Sequence, residues 1–290
     1  MPFLQLTLEL GKSDPSPVED ALFEIGALSV TLEDAADDPI LEPAPGALPL
    51  WPTVNVKALF NADASQNELL QLLQAQFESL PAYRFEELQD RHWEREWLKD
   101  FHAMRFGAKL WVCPDGQRPD DPDAIIIDLD PGLAFGTGTH ATTSLCLQWL
   151  DQHPPRDRTI IDYGCGSGIL AIAALRLGAR IAHGVDIDNQ ALVASRSNAE
   201  RNQVDRALTL ALSDRDLKPA DVVLANILAG PLTELAPRLA ALTVQGGHIV
   251  LSGVLQEQAE TIQTCYATWF DMDTIAYQDG WARLSGQRRQ

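Results

Sequence analysis

The sequence has 290 residues, and its length and composition exclude several classes of protein. A chain of this length exceeds the usual size of a single domain, so we expect two domains. Its 22 basic and 41 acidic side chains give a formal net charge of −19, which would repel a nucleic-acid backbone and suits a basic partner. On charge alone, solubility is the more common reason for such an acidic composition. No apolar run approaches the roughly 18 residues of a membrane-spanning helix, and the start of the chain lacks a secretory signal. We therefore predict a soluble, cytoplasmic protein with no membrane partner, and we expect a monomer.

The cysteines and histidines show no pattern that would hold a metal ion. The four cysteines, Cys113, Cys146, Cys165 and Cys265, are far apart and form no C-x-x-C pair. The six histidines are equally scattered and contain no H-E-x-x-H motif. We therefore predict reduced thiols and no metal site.

The first part of the chain predicts a small α+β domain. Strands are expected at residues 3–10, 27–33, 54–60 and 83–88, and helices at 17–25 and after Ser65. Ser65 is followed three residues later by Glu68, which is typical of a capped helix start. The order β-α-β-β-α-β is that of a ferredoxin-like domain. This architecture serves enzymes, RNA binders and protein binders alike, so it leaves the function open.

The rest of the chain predicts strands that alternate with helices. Two strands are expected at 109–113 and 124–129, followed by 159–163, 181–186, 207–211, 221–226 and 247–253, with helices in the later gaps. Residues 272–286 indicate two further strands in hairpin-like succession. Alternating strands and helices predict an α/β domain with a doubly wound, mixed sheet.

The strongest local signal is a glycine-rich turn between a buried strand and a helix. Residues 160–170 read I-I-D-Y-G-C-G-S-G-I-L, with glycines at positions 164, 166 and 168. Glycine admits positive φ and lets backbone N–H groups and a helix N-terminus face a ligand. A dinucleotide fingerprint needs glycines at its first, third and sixth positions, whereas here they occupy the first, third and fifth, so NAD is disfavoured.

An acidic residue ends the next predicted strand. Asp186 lies about 22 residues after Gly164, where a carboxylate can accept hydrogen bonds from both hydroxyls of a ribose. Asp188, two residues further on, is the expected N-cap of the following helix. The glycine turn and Asp186 together predict a nucleoside-binding site.

These features and the end of the fourth core strand resemble the class I S-adenosylmethionine (AdoMet) dependent methyltransferases. That strand ends in L-A-N-I-L-A, and Asn226 occupies the position where this class carries a polar residue at the reaction centre. An amide there can accept a hydrogen bond from an incoming amine and aim its lone pair at a sulfonium methyl group, which is catalysis by positioning. The resemblance implies a seven-stranded sheet and AdoMet as the cofactor.

A loop rich in glycine and threonine precedes the first helix of the core. Residues 131–143 read P-G-L-A-F-G-T-G-T-H-A-T-T, a composition with many donors that suits closure over a cofactor. By composition alone, the segment could equally be an ordinary connection that ends in a threonine cap.

Four segments together are similar to the ribosomal protein L-eleven methyltransferase family: G-T-G-T-H-A-T-T, D-Y-G-C-G-S-G, N-I-L-A-G-P and W-E-R-E-W. The resemblance implies a substrate-docking domain at residues 1–88, a linker helix at 89–104 and a methyltransferase domain at 105–290. It also implies in-line SN2 transfer of methyl groups to lysine ε-amines and the N-terminal α-amine of that ribosomal protein. One departure is Ala141, which stands where the family commonly has proline and should loosen the backbone only slightly.

The resemblance also assigns the site residues. Asn226 is the expected catalytic residue, and His140 is not assigned as a base because nothing in the sequence tunes its imidazole. The expected cofactor-binding residues are Thr137, Gly138, His140, Thr143, Asp162, Gly164, Gly166, Asp186 and Asn226.

Two other functions stay open from the sequence. A nucleic-acid base methyltransferase can also end its fourth strand in a polar residue, but Ile227, Leu228 and Ala229 offer no aromatic ring to a flipped base, and the net charge opposes it. The other is a binding module with a vestigial fold, against which the intact glycine turn and Asp186 argue.

Overall fold

The structure is a computed structural model that describes residues 3–36, 51–77, 79–88, 102–114, 116–129 and 140–290. The chain divides into two compact units, Met1–Trp93 and Glu94–Gln290, and the boundary falls within the predicted linker. Most of that linker, including the predicted helix with Trp93 and Trp97, lies outside the described residues. No helix in the described ranges is long and apolar enough to cross a membrane.

The first unit has the predicted β-α-β-β-α-β order. Its elements are β1 (Phe3–Gly11), α1 (Ser16–Glu24), β2 (Ser29–Asp34), β3 (Val54–Asn61), α2 (Gln66–Gln76) and β4 (Ala82–Leu88). The antiparallel sheet has the order β2-β3-β1-β4, which is the ferredoxin-like arrangement. Alternate residues such as Leu6, Val56 and Phe60 are buried together with Leu22 and Leu73, so one sheet face and both helices share a core.

The second unit begins with a small three-stranded sheet. Its strands are β5 (Met104–Phe106), β6 (Leu110–Cys113) and β7 (Ile125–Asp128), and it packs into the same core as α3 (Ala141–Gln152). The predictions at 109–113 and 124–129 are confirmed. The strand β5 was not predicted because its 3 residues are too few to show a period.

An eight-stranded mixed sheet forms the centre of the second unit. Its strands are β8 (Thr159–Tyr163), β9 (Ile181–Val185), β10 (Leu208–Ala211), β11 (Ala220–Asn226), β12 (Thr243–Leu255), β13 (Phe270–Met272), β14 (Ala276–Gln278) and β15 (Trp281–Arg288). The order is β10-β9-β8-β11-β12-β15-β13, and β14 pairs with β15 as an eighth strand. The strands from β10 to β12 in this order are parallel neighbours, whereas β15 runs antiparallel to β12.

Helices cover both faces of this sheet, as its apolar strands require. The helices between these strands are α4 (Ile169–Arg176), α5 (Asn189–Arg201), α6 (Ala229–Leu242) and α7 (Ala259–Tyr266). One face packs against α3, α4 and α5, and the other against α6 and α7. The predicted doubly wound sheet is confirmed, with eight strands where the resemblance implies seven, because β14 pairs with β15 beside the seven strands of the main path. The carboxyl ends of the parallel strands lie along one edge of the sheet.

Asn202, just after α5, ties the small sheet to this helix layer. Its Oδ1 accepts a hydrogen bond from the Asp128 amide at 2.9 Å. Its Nδ2 donates to the carbonyl oxygens of Asp128 at 2.7 Å and Asn198 at 2.8 Å. The side chain is buried, so these bonds have no water to replace them.

Replacing Asn202 with alanine should therefore lower the free energy of unfolding by about 2–4 kcal/mol, because backbone groups of Asp128 lose their partners. Urea unfolding followed by circular dichroism measures the change. Gln190→Ala, at an exposed position of the same helix, is the control and should stay within about 0.5 kcal/mol of the parent. Equal unfolding curves for the two variants would contradict the role given to Asn202.

Candidate functional site

The site lies where the strand order of the main sheet reverses. The chain passes from β8 outward to β9 and β10, then returns to place β11 on the other side of β8. Tyr163 and Ala225 pair across β8 and β11, so the glycine turn and Asn226 follow directly on adjacent strands. Ligands of open α/β sheets bind at such switch points, and the fold therefore brings the two strongest sequence signals together.

The glycine turn has a backbone that only glycine adopts easily. Gly164, Gly166 and Gly168 have φ values of +74°, +52° and +79°. The amides of Gly164 and Cys165 both donate to the Val185 carbonyl oxygen, at 2.7 and 3.0 Å. The turn thus leads directly into α4 through a backbone conformation that residues with a side chain adopt only with strain.

Asp186 links the glycine turn to the next strand. Its Oδ2 accepts a hydrogen bond from the Gly166 amide at 2.9 Å, and its Oδ1 accepts one from the Asp188 amide at 3.0 Å. A carboxylate offers about four acceptor positions, so two remain for a ligand. Asp188 accepts from the Gln190 amide at 2.8 Å, which confirms it as the helix cap.

Asp214, after β10, is a second acidic residue near this edge. Its carboxylate accepts a hydrogen bond from Arg238 Nε at 2.7 Å, and this partner lowers the pKa of Asp214. The Tyr163 hydroxyl donates to the same oxygen at 3.4 Å. Asp214 is neutralised by a cation, whereas the bonds that Asp186 accepts from the described residues come from backbone amides. Asp186 is therefore the better acceptor for ligand hydroxyls.

Two buried polar residues of α5 hold the glycine turn, and sequence reasoning missed them. Ser195 donates from its hydroxyl to the Gly166 carbonyl oxygen at 2.7 Å, and Asn198 Nδ2 donates to the Ser167 carbonyl oxygen at 3.0 Å. A signal was present, because Ser195, Asn198 and Asn202 recur at helical spacing and form a polar stripe on one face of α5.

Asp162 lies beneath the turn, at the end of β8. It is 1% exposed, and its Oδ2 accepts a hydrogen bond from the Ala171 amide at 2.9 Å. Burial raises the pKa of Asp162 to about 7, against the opposing effect of the Ala171 bond, and the nearby Asp186 carboxylate raises it further. Asp162 thus fixes the first turn of α4 against the strand, and its predicted contact with a cofactor stays a prediction.

Asn226 is oriented by a threonine from α3. Its Nδ2 donates to the Thr143 hydroxyl at 3.2 Å, and Thr143 itself is fully buried. Asn226 Oδ1 is also buried, and it has no hydrogen-bond partner among the described residues. An unsatisfied buried acceptor costs roughly 1–3 kcal/mol, which a donor from a ligand would recover. The two ends of the amide are therefore distinguished, and the acceptor end is the one left for a substrate.

His140 begins α3, beside an aromatic residue from the end of the chain. Its side chain caps the helix by accepting from the Thr142 amide at 3.4 Å, and burial lowers its pKa. Trp281 stacks edge-to-face on the imidazole, with ring centroids 4.9 Å apart. Sequence reasoning missed Trp281, although the preceding Asp279-Gly280 pair is a typical hairpin turn. Thr137 and Gly138 lie outside the described residues.

The doubly wound sheet, the glycine turn and the polar strand ends at one switch point define a class I methyltransferase. Comparison with known proteins agrees over the whole chain. Residues 2–289 match the family described as Ribosomal protein L11 methyltransferase (PrmA). The chain therefore belongs to the ribosomal protein L11 methyltransferase family, as predicted, and is an AdoMet-dependent protein methyltransferase.

Individual relatives support the same assignment. The Ribosomal protein L11 methyltransferase of Ectopseudomonas mendocina is 51% identical, and the match covers 100% of both chains. That of Shewanella amazonensis is 49% identical over 100% of this chain and 99% of its own. The crystal structure of the ribosomal protein L11 methylase from Lactobacillus delbrueckii subsp. bulgaricus superposes with a TM-score of 0.61 at 32% identity, covering 66% of this chain and 100% of that one.

The buried carboxyl of Asp162 predicts a pH-dependent stability. The folded protein keeps this proton up to about pH 7, whereas the unfolded chain releases it near the ordinary value of 3.8. The contribution of the protonated Asp162 carboxyl to the free energy of unfolding is therefore complete below pH 4, and it is lost as the pH rises through 7. Relative to Asp162→Asn, which cannot titrate, the wild-type free energy of unfolding should fall by about 2–4 kcal/mol between pH 4 and 7. Denaturant unfolding at several pH values checks this, and parallel profiles would contradict it.

Proposed function

We propose that this enzyme transfers methyl groups from AdoMet to amino groups of ribosomal protein L11, both lysine ε-amines and the N-terminal α-amine. The observation that carries the proposal is the state of Asn226. Its amide is fixed by Thr143 through Nδ2, and its buried Oδ1 has no partner in the described part of the chain. A neutral amine can donate an N–H to that oxygen, which turns its lone pair toward the reacting methyl group.

The residues around the glycine turn would hold the cofactor. AdoMet supplies an electrophilic methyl group on a sulfonium sulfur, and a class I site must hold its ribose, its amino-acid end and its adenine. Asp186 has acceptor positions for the ribose hydroxyls, and the backbone at Gly164 and Gly166 admits close approach. Thr143, Asp162 and His140 are further cofactor contacts in this proposal, and each also holds a neighbouring element in place.

Two exposed apolar side chains suit an adenine ring. Ile187 directly follows Asp186 and is 95% exposed, and Leu212 follows the adjacent strand β10 and is 53% exposed. Large apolar side chains this exposed at a ligand-binding edge favour a flat, apolar ligand surface. We assign them to the adenine side of the cofactor site.

The acidic character of the chain suits a basic protein substrate. The formal net charge of −19 attracts a cationic ribosomal protein over long range and speeds encounter without setting specificity. Within this proposal, residues 1–88 dock the substrate, 89–104 link the domains, and 105–290 carry out catalysis. The enzyme acts as a monomer in the cytoplasm and needs no nucleic acid.

Intact-mass spectrometry of purified L11 incubated with enzyme and AdoMet tests the activity and the site together. Wild type should add mass in steps of one methyl group. Asp186→Ala should raise the AdoMet Kd by about 100- to 10,000-fold, because two charge-assisted hydrogen bonds of about 1.5–3 kcal/mol each are lost. Asn226→Ala should lower turnover at saturating cofactor by about 100-fold. The variant lacks the acceptor that orients the amine, and a misplacement of the reacting atoms by about 1 Å costs that much in rate.

Asp188→Asn is the matched control, because it removes a neighbouring carboxylate while asparagine caps a helix as well as aspartate. This variant should bind AdoMet and methylate L11 like wild type. If the wild type binds AdoMet and leaves the mass of L11 unchanged, the substrate is wrong and only the methyltransferase class stands. If Asp186→Ala binds AdoMet as tightly as Asp188→Asn, the cofactor assignment fails.

A further inference from the structure

We propose that Ile227 is a positioning residue, seated between Gly164 and Gly253, which sets where Asn226 presents its side-chain amide. The proposal rests on the function assigned to Asn226 above. Ile227 is the first residue after β11, so its backbone determines where that strand ends. Two neighbouring strands approach it from opposite sides, and both do so through a glycine in the left-handed region.

Gly164 receives the side chain of Ile227. A Cβ atom added at Gly164 would lie only 2.4 Å from Ile227 Cγ2, a distance that Cβ contacts do not show. The absent side chain at Gly164 thus makes room for Ile227. The first glycine of the turn therefore has a partner on the strand that carries Asn226, in addition to its proposed place beside the cofactor.

Gly253 receives the backbone of Ile227 from the other side. A Cβ at Gly253 would lie 2.3 Å from the Ile227 carbonyl oxygen and 2.7 Å from its carbonyl carbon. Gly253 has φ +81° and lies in an irregular stretch of β12, where the pairing with β15 shifts between Leu251 and Val254. On β11, Asn226 still pairs in register with Ser252. The shift in the pairing of β12 with β15 thus leaves room at Gly253 for the backbone of Ile227.

Ile227 is joined to Asn226 by one peptide bond, so the position of Ile227 determines the position of the catalytic amide. The Asn226 Nδ2 reaches Thr143 across 3.2 Å, near the limit of a hydrogen bond, so a small displacement of the strand end would break the bond. A misplacement of about 1 Å in a reaction that depends on positioning costs about 100-fold in rate. Contact with Gly164 and Gly253 on its two sides limits the movement of Ile227, and thereby of Asn226.

The test compares Gly253→Ala with Gly246→Ala. Both glycines lie on β12 with positive φ, +81° and +73°, but a Cβ at Gly246 meets nothing within 4 Å. Both variants therefore carry the backbone strain, and only Gly253→Ala displaces Ile227. We expect Gly253→Ala to lower kcat for L11 methylation by about 10- to 100-fold while the AdoMet Kd stays within about threefold. Gly246→Ala should keep the wild-type kcat.

A second pair of variants covers the case in which Gly253→Ala folds poorly. Ile227→Ala removes the side chain that fills the space at Gly164 and should lower kcat about 10-fold. Ile227→Val keeps both branches at Cβ and should therefore keep the wild-type kcat. NMR of the Asn226 side-chain amide provides a readout that needs no substrate. Its resonances should shift in Gly253→Ala and Ile227→Ala and stay in place in Gly246→Ala and Ile227→Val.

The outcomes separate the two proposals. Absence of L11 methylation by the wild type would overturn the proposed substrate, and the amide resonances would still test the positioning role. If Gly253→Ala and Ile227→Ala match their controls in kcat and in the Asn226 amide resonances, Ile227 does not position Asn226. A rise in AdoMet Kd that fully accounts for the lost activity would also overturn the inference, because Ile227 would then serve cofactor binding.

Discussion

The site depends on a side-chain amide that is bonded at one end and unsatisfied at the other. Thr143 accepts from Asn226 Nδ2, and the buried Oδ1 has no partner among the described residues. An amide cannot change its charge in the accessible pH range, so it contributes direction rather than proton transfer. The remaining constraints in the second unit serve to keep this direction fixed relative to the glycine turn.

Three adjacent parallel strands contribute to that constraint at their carboxyl ends. β9 provides Asp186, which bonds to the Gly166 amide, β8 provides the turn itself, and β11 provides Asn226. The buried Asp162 ties the turn to α4, and burial favours the protonated form of its carboxyl, as its raised pKa shows. Ser195 and Asn198 of α5 complete the backbone bonds of the turn. The cofactor edge is thus held by hydrogen bonds within the chain itself, which is the preorganisation that catalysis by positioning requires.

Interactions between residues close in sequence made much of the fold predictable. Ser65 and Asp188 were expected as helix caps, and each accepts from a backbone amide of the first turn. The apolar strands of the second unit, their alternation with helices and the glycine turn depend on neighbours close in sequence, so their patterns are visible in a single chain. The switch-point geometry then follows from the right-handed crossover rule rather than from particular side chains.

Contacts between distant residues could not be predicted in the same way. Thr143 and Asn226 are separated by 83 positions, and no periodicity links them, so Thr143 was assigned through family resemblance alone. The space at Gly253 depends on an irregularity in pairing, which requires two strands to be seen together. Trp281 reaches His140 only because the last strand folds back beside β12. The predictions for Thr137 and Gly138 concern residues outside the described ranges, as does most of the linker helix. The end of that helix prediction, residues 102–104, is wrong, because Met104 begins the strand β5.

Removing the hydrogen bond between Thr143 and Asn226 tests this account most directly. Thr143→Val keeps the shape of a fully buried side chain and removes the hydroxyl, whereas Thr143→Ser keeps the hydroxyl. Turnover at saturating AdoMet should fall by about 10- to 100-fold in the valine variant and stay within about threefold of wild type in the serine variant. If the valine variant turns over as fast as wild type with an unchanged thermal midpoint, the orientation of Asn226 does not depend on Thr143, and the central claim is wrong.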